Sequence, residues 1–223
     1  MISDNLREVR QEIQKSCALV GRQSTEVTLV AVTKNVDADT TAELIAQGVE
    51  HCAENRVDKF LAKKAALAND DIVWHFIGNL QRRKVKAVIN EIDYFHALDS
   101  LKLAQEIAKR ATKVIKCFVE VNVANEPTKN GIAPTVVHPL MAELSLLENI
   151  QVVGLMMMAP YDSTQAEQKQ YFEQLYHLQQ SVIAKEYAHC PCTQLSMGMS
   201  NDYQVAIQSG ATFVRIGTRL FQE

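Results

Sequence analysis

The sequence predicts an α/β fold, a single (β/α)8 TIM-type barrel with an extra N-terminal helix filling the outer ring. Three observations predict it. Apolar runs alternate with amphipathic segments along the whole chain, the runs number about eight, and 223 residues suffice for one α/β domain to bury a large core. The opening stripe comes first: Ile2, Leu6, Val9, Ile13, Cys17 and Val20 recur every three or four residues, the apolar face of a helix that Gly21 closes. Val27 to Val32, VTLVAV, is then a nearly continuous β-branched run, as in a strand covered on both faces.

Further strands and helices follow in alternation. Strands are expected near 27–33, 50–53, 73–77, 92–97, 115–123, 150–157, 193–196 and 212–216. Helices are expected near 38–48, 56–69, 81–90, 100–112, 134–147, 165–186 and 201–209. Strict alternation implies right-handed crossovers and a parallel sheet, and about eight strands close a barrel. The sequence stops at Glu223 directly after the eighth strand, so no helix is expected there and the opening helix is expected to complete the ring. An open doubly wound sheet is the alternative, and it would leave the first and last strands as edges. The expected domain is 1–223, with no linker or internal repeat.

A formal net charge of -3 and an acidic isoelectric point near 6.1 argue against nucleic acid or an anionic membrane as the main partner. No stretch approaches the ~18 apolar residues of a membrane span, and MISDNLREVRQEIQK lacks the apolar core of a signal peptide, so a cytoplasmic protein is expected. The 5 cysteines are an odd number and are read as free thiols. Only Cys190 and Cys192 are close; with His189 they lack the second ligand pair of a zinc site, and no metal is expected.

In such barrels functional groups gather at the C-terminal ends of strands. Lys34 stands there, just after VTLVAVT. A lysine that forms an imine must be partly desolvated, so that its neutral amine is populated. A solvated strand-end lysine is the plain alternative. At the other end of the chain, LSMGMSNDYQVAIQSG (195–210) runs through Gly198 and Met199 to Ser200, placed as a helix N-cap, and Arg215-Ile216-Gly217-Thr218 forms a glycine-flanked turn after the eighth strand. The loops after the last two strands are where these barrels bind phosphate, because free backbone N–H groups attract an anion and glycine lets the backbone approach it. Taken singly, Ser200 is an ordinary cap and Gly217-Thr218 an ordinary turn. Together with a lysine across the mouth they point to pyridoxal 5'-phosphate as cofactor.

Phe213, Arg215 and Gly217 share one face of the last strand, so the guanidinium is buried and needs an acceptor. A carboxylate such as Glu120 is one candidate, and the pyridine nitrogen of the cofactor is the other. Arginine cannot accept a proton, so a ring facing it is a weak electron sink, suited to holding the cofactor or to racemisation rather than transamination.

AVTKN (31–35), AENRV (53–57), WHFIGNLQ (74–81), VNVANEPTKNGI (121–132), GLMMMAP (154–160), LSMGMSNDY (195–203) and VRIGTRLF (214–221) occur in this order. A chain with this set resembles the pyridoxal phosphate homeostasis family, whose fold is that of the alanine racemase N-terminal barrel. The resemblance implies that Lys34 holds an internal aldimine, that Ser200, Gly217 and Thr218 bind the phosphate, that Arg215 faces the pyridine nitrogen, and that Asn55 lies beside the cofactor. Gly198 and Met199 would belong to the same loop. Thr33, Ala53, Asn79 and Val36 depart from the family's usual Ser, Gly, His and Lys, so any role of an imidazole at 79 or a second amine at 36 is not carried over.

The implied function is to hold pyridoxal 5'-phosphate in vitamin B6 homeostasis without robust turnover, so no residue is assigned a catalytic role. Apo-enzymes would be the recipients, and the protein would be a monomer. Two alternatives stay open. A racemase needs two acid/base groups, the second of which alanine racemase draws from a β-rich C-terminal domain. A cofactor-free Schiff-base aldolase would need Lys34 alone and would use the cradle for a sugar phosphate.

Other constellations have plainer readings. Arg82, Arg83, Lys84 and Lys86 read as a solvated helix surface, Met156 to Met158 as core filling of the sixth strand, and His75 as a packed core histidine. Lys129, in the polar loop from Asn125 to Gly131, is expected on the ligand face, as a second aldehyde partner, part of a mobile lid, or a solvated loop lysine.

Overall fold

A computed structural model describes residues 1–222; Glu223, the last residue of the expected domain, lies outside the described residues. Eight parallel strands form a closed barrel in sequence order: β1 (Thr28–Val32), β2 (His51–Glu54), β3 (Val73–Phe76), β4 (Tyr94–Leu98), β5 (Ile115–Glu120), β6 (Ile150–Met156), β7 (Gln194–Ser196) and β8 (Phe213–Ile216). The closing pair settles the choice between barrel and open sheet. β1 runs alongside β8 in the register Thr28↔Phe213, Leu29↔Val214, Val30↔Arg215 and Ala31↔Ile216.

Outside the barrel lie α1 (Ile2–Ala18), α2 (Ala38–Ala46), α3 (Val57–Leu67), α4 (Val85–Val88), α5 (Leu101–Arg110), α6 (Val137–Leu144), α7 (Gln165–Ile183), α8 (Tyr203–Gln208) and α9 (Thr218–Phe221). Helix α1 fills the ring as expected. Its stripe of Leu6, Val9, Ile13 and Cys17 is buried, each side chain contributing about 1.5–3 kcal/mol through apolar area removed from water. Asn5 Nδ2 donates to the carbonyls of Leu220 and Gln222 (3.2 and 2.8 Å), while Arg10 donates to those of Gln47 and Gly48 (3.2 and 3.0 Å). The first helix is thereby tied to both the end of α9 and the end of α2.

Four expectations are corrected. A one-turn helix, α9, does follow β8. The helix expected over 81–90 is a 3-10 turn (Arg82–Lys84), the single α-turn of α4 and a second 3-10 turn (Ile89–Glu91), because Arg82, Arg83, Lys84 and Lys86 leave only Val85, Val88 and Ile89 to anchor it. The segment expected at 134–147 opens with a 3-10 turn at Pro134–Val136 and is α-helical only over α6. The helix expected from 201 starts at Tyr203.

Register also fixes which side chains point inward. Strand side chains alternate between faces, and partners across a parallel pair share a face. Arg215 hydrogen-bonds the side chain of Ser196 within the buried interior, which places Val30 and Phe213 on the same inner face. By the same register His51, Ala53, His75, Tyr94, Phe118 and Glu120 face inward. Phe213 packs edge-on or tilted against His75, Tyr94 and Phe118 at centroid distances of 6.0, 5.4 and 5.3 Å, filling the lower barrel.

Candidate functional site

Lys34 stands two residues beyond the end of β1, at the C-terminal mouth of the barrel; it is half-buried and lines a groove with Asp37, Lys59 and Lys63. Its strand end is anchored from the helix layer. Glu54, pointing outward from β2, accepts from the Thr33 hydroxyl at 2.7 Å and from Lys63 of α3, whose ammonium also donates to the Thr33 carbonyl at 2.6 Å. This buried knot joins the ends of β1 and β2, one residue before Lys34 and Asn55 respectively. Asn55 is half-buried at the same mouth, and its carbonyl is approached so closely by Gly78 that a Cβ there would come within 2.2 Å.

On the opposite side, Ser200 has a different role from the one expected. Asp202 occupies the N-cap of α8, its carboxylate accepting the Met199 N–H at 2.6 Å, while the N–H groups of Asp202 and Tyr203 close onto the Met199 carbonyl at 3.1 and 2.9 Å. That turn delays the helix and releases Ser200 toward the last turn of the chain. Ser200 Oγ accepts from the N–H groups of Gly217 (3.3 Å) and Arg219 (3.4 Å). The two loops expected to form an anion cradle therefore meet, with the donors supplied by the turn after β8. Gly217 seats that turn against β1, since a Cβ there would lie 3.2 Å from the Val32 carbonyl oxygen. Thr218, the first residue of α9, is exposed, and Met199 is half-buried.

Arg215 is buried in the barrel beneath these groups. Its partners are the Ser196 hydroxyl and the Met157 carbonyl (3.0 Å), and it makes no ion pair with Glu120 among the described residues. Burial lowers its pKa to about 10, with Asp202 and Glu120 pulling the other way, so it remains a cation at neutral pH. Glu120 is pushed up to about 7 by burial and by the neighbouring Asp99, against the pull of Arg215. The mouth thus joins one fixed cation to a carboxyl held well above the usual carboxylate range.

Lys129 is not a freely solvated lysine. It pairs with Glu126 at 2.7 Å and reaches toward the Ala159 carbonyl at 3.5 Å. Met156 and Met157 are buried as expected, whereas Met158 is 40% exposed, because β6 ends at Met156 and the chain turns outward at the mouth. Arg82, Arg83, Lys84 and Lys86 are exposed. Cys190 and Cys192 are buried free thiols. Ser196, His96, Asp202 and the Glu54–Lys63 pair were not singled out by sequence reasoning. Alternation from Gly198 back to Ser196 was the one available signal.

Residues 3–223 match the family described as alanine racemase, N-terminal domain. The pyridoxal phosphate homeostasis protein of Aquifex aeolicus is 40% identical over 223 residues, covering 99% of this chain and 97% of that one. The structure of PipY from Synechococcus elongatus without PLP superposes with a TM-score of 0.90 at 33% identity, covering 99% of this chain and all of that one. The form with PLP bound superposes at 0.87 and 32% identity, with the same coverage.

Proposed function

Because the chain belongs to the pyridoxal phosphate homeostasis family, built on the alanine racemase N-terminal domain, we propose that it binds pyridoxal 5'-phosphate as an internal aldimine on Lys34 and holds it without robust turnover. The observation that carries this reading is the meeting of Ser200 with the Gly217 and Arg219 N–H groups, against the end of β1, two residues before Lys34.

The residues present fit the cofactor. Three polar groups converge at one turn, glycine at 217 keeps that turn close to β1, and a half-buried lysine lies two residues beyond Val32 at the same end of the barrel. Ser200, Gly217 and Thr218 would hold the phosphate, Met199 would support the loop, Asn55 would flank the ring and Arg215 would face the pyridine nitrogen. The cofactor supplies an electrophilic aldehyde and a conjugated ring. Facing a permanent cation, that ring nitrogen would stay unprotonated, which would weaken it as an electron sink and favour storage over turnover. The family's naming as homeostasis proteins agrees with this; apo-enzymes would be the recipients of the cofactor, from a monomeric, cytoplasmic donor.

Purified protein incubated with pyridoxal 5'-phosphate and desalted is expected to keep a visible absorbance band that Lys34→Ala loses. A Lys34→Ala protein retaining the wild-type band would defeat the reading. Single L-amino acids incubated with the loaded protein and followed by chiral chromatography are expected to stay unracemised.

A further inference from the structure

Arg215 stands at the head of a line of hydrogen bonds that crosses the barrel interior. Its guanidinium donates to Ser196 Oγ. Ser196 Oγ lies 2.8 Å from His96 Nδ1, His96 Nε2 lies 2.8 Å from His75 Nδ1, and His75 Nε2 lies 2.9 Å from His51 Nδ1. The members come from β8, β7, β4, β3 and β2, and all face inward. His51 is the first residue of β2, so the line ends at the face of the barrel opposite Lys34, where a groove lined by Arg10, Thr28, Gly48 and Glu50 reaches it.

The direction of the line follows from donor counting. Arginine only donates, so Ser196 accepts from Arg215 and retains one proton to give. Among the described residues His96 Nδ1 is the only acceptor for it, and a buried hydroxyl without an acceptor is costly. Ser196 therefore donates to His96, His96 Nε2–H to His75, and His75 Nε2–H to His51. Each histidine is neutral and carries its proton on Nε2. Protonating His75 would set its Nδ1–H against the Nε2–H of His96, and protonating His96 would set an Nδ1–H against the hydroxyl proton of Ser196; burial holds both well below the ordinary histidine value. The charged groups around the far end are Glu50 and Asp93, which favour protonation of His51, and Lys116, which opposes it.

We propose that Ser196, His96, His75 and His51 form a positioning chain for Arg215, which aims the guanidinium at the cofactor ring and connects the ring's electrostatics to solvent at the opposite face of the barrel. This deepens, and rests on, the reading that the ring nitrogen faces Arg215. The chain itself can be checked without the cofactor.

The test has two arms. In 15N-labelled protein free of cofactor, long-range 1H–15N spectra are expected to show His75 and His96 as neutral Nε2–H tautomers that do not titrate between pH 5.5 and pH 8.5. Nδ1–H signals, or titration in that range, would overturn the chain. In protein loaded with pyridoxal 5'-phosphate, Ser196→Ala is expected to shift the pH profile of the cofactor absorbance and to weaken retention by about tenfold, the scale of one lost hydrogen bond to a charged group. Ser196→Thr, which keeps the hydroxyl, is expected to restore both. An unchanged pH profile in Ser196→Ala would refute the coupling to the ring. If wild-type protein takes up no cofactor, the functional reading fails, while the first arm still decides whether the chain exists.

Discussion

Gly198 holds the loop between β7 and α8 with φ +94°, a backbone conformation that costs L side chains strain, and a Cβ there would sit 2.6 Å from Ala206 Cβ and 2.9 Å from Tyr203 Cα. Gly198→Ala is therefore expected to destabilise the protein by about 1–3 kcal/mol in urea unfolding, combining strain with overpacking. The displaced loop should also loosen cofactor retention, since the same loop carries Ser200. At this scale the sequence was informative about where residues stand and less so about what they touch. Lys34 and Gly217 were legible because strand alternation and glycine identity are local properties. The role of Ser200 was not, because it depends on Asp202 delaying the next helix and on a turn seventeen residues away. Arg215 was legible as a buried charge in need of an acceptor, whereas Ser196 and Met157 as its partners depend on how β6, β7 and β8 lie together.

The ends of β1 and β2 are joined through the buried pair of Glu54 and Lys63, where one carboxylate oxygen of Glu54 has no partner among the described residues. Removing the lysine alone leaves a buried carboxylate uncompensated, so Lys63→Met is expected to cost about 3–5 kcal/mol in denaturant unfolding. The double replacement Glu54→Leu with Lys63→Met is expected to recover most of that loss, because no charge then remains buried. Equal destabilisation by the single and double variants would show that packing, and not charge, governs the joint. Strands were the most legible elements, since VTLVAV and its counterparts show their burial directly in apolar content. The segment after β3 was misread as one helix because its charges fit any solvated turn, and only three buried residues decide its shape. The one-turn helix after β8 left no periodic pattern to read, being four residues long.

For the molecule as a whole, barrel closure encloses a line of three hydrogen-bonded histidines, His75 and His96 buried and His51 partly buried, and this sets its response to acid. His75 and His96 are depressed in the folded state, so their contribution is complete above the unfolded value near 6.5 and is lost as pH falls through the window below it. Each costs up to about 1.4 kcal/mol per pH unit in that window. Glu120 acts in the opposite sense, its folded value of about 7 lying above the ordinary value of 4.5, so the folded state gains stability as pH falls between the two. His51, also lowered by burial, acts with these two; Asp99 and Asp202, raised by burial from ordinary values near 3.8, act with Glu120 but over a window that begins below pH 5, so the unfolding midpoint is expected to be lower at pH 5 than at pH 7.5. A midpoint that rises on acidification would contradict the buried neutral chain. The fold class was legible at this scale because alternation and strand number together leave few closed solutions. The histidine line was not, because its links join residues from different strands and, between His96 and Ser196, one hundred positions apart. No helix among the described residues is long and apolar enough to cross a membrane. The central claim, that one amine at the mouth of this barrel carries the cofactor, is tested most directly by borohydride reduction of loaded protein followed by peptide mapping. A single reduced pyridoxyl label on the peptide containing Lys34 is predicted, and a label confined to Lys63, Lys129 or any other lysine would contradict it.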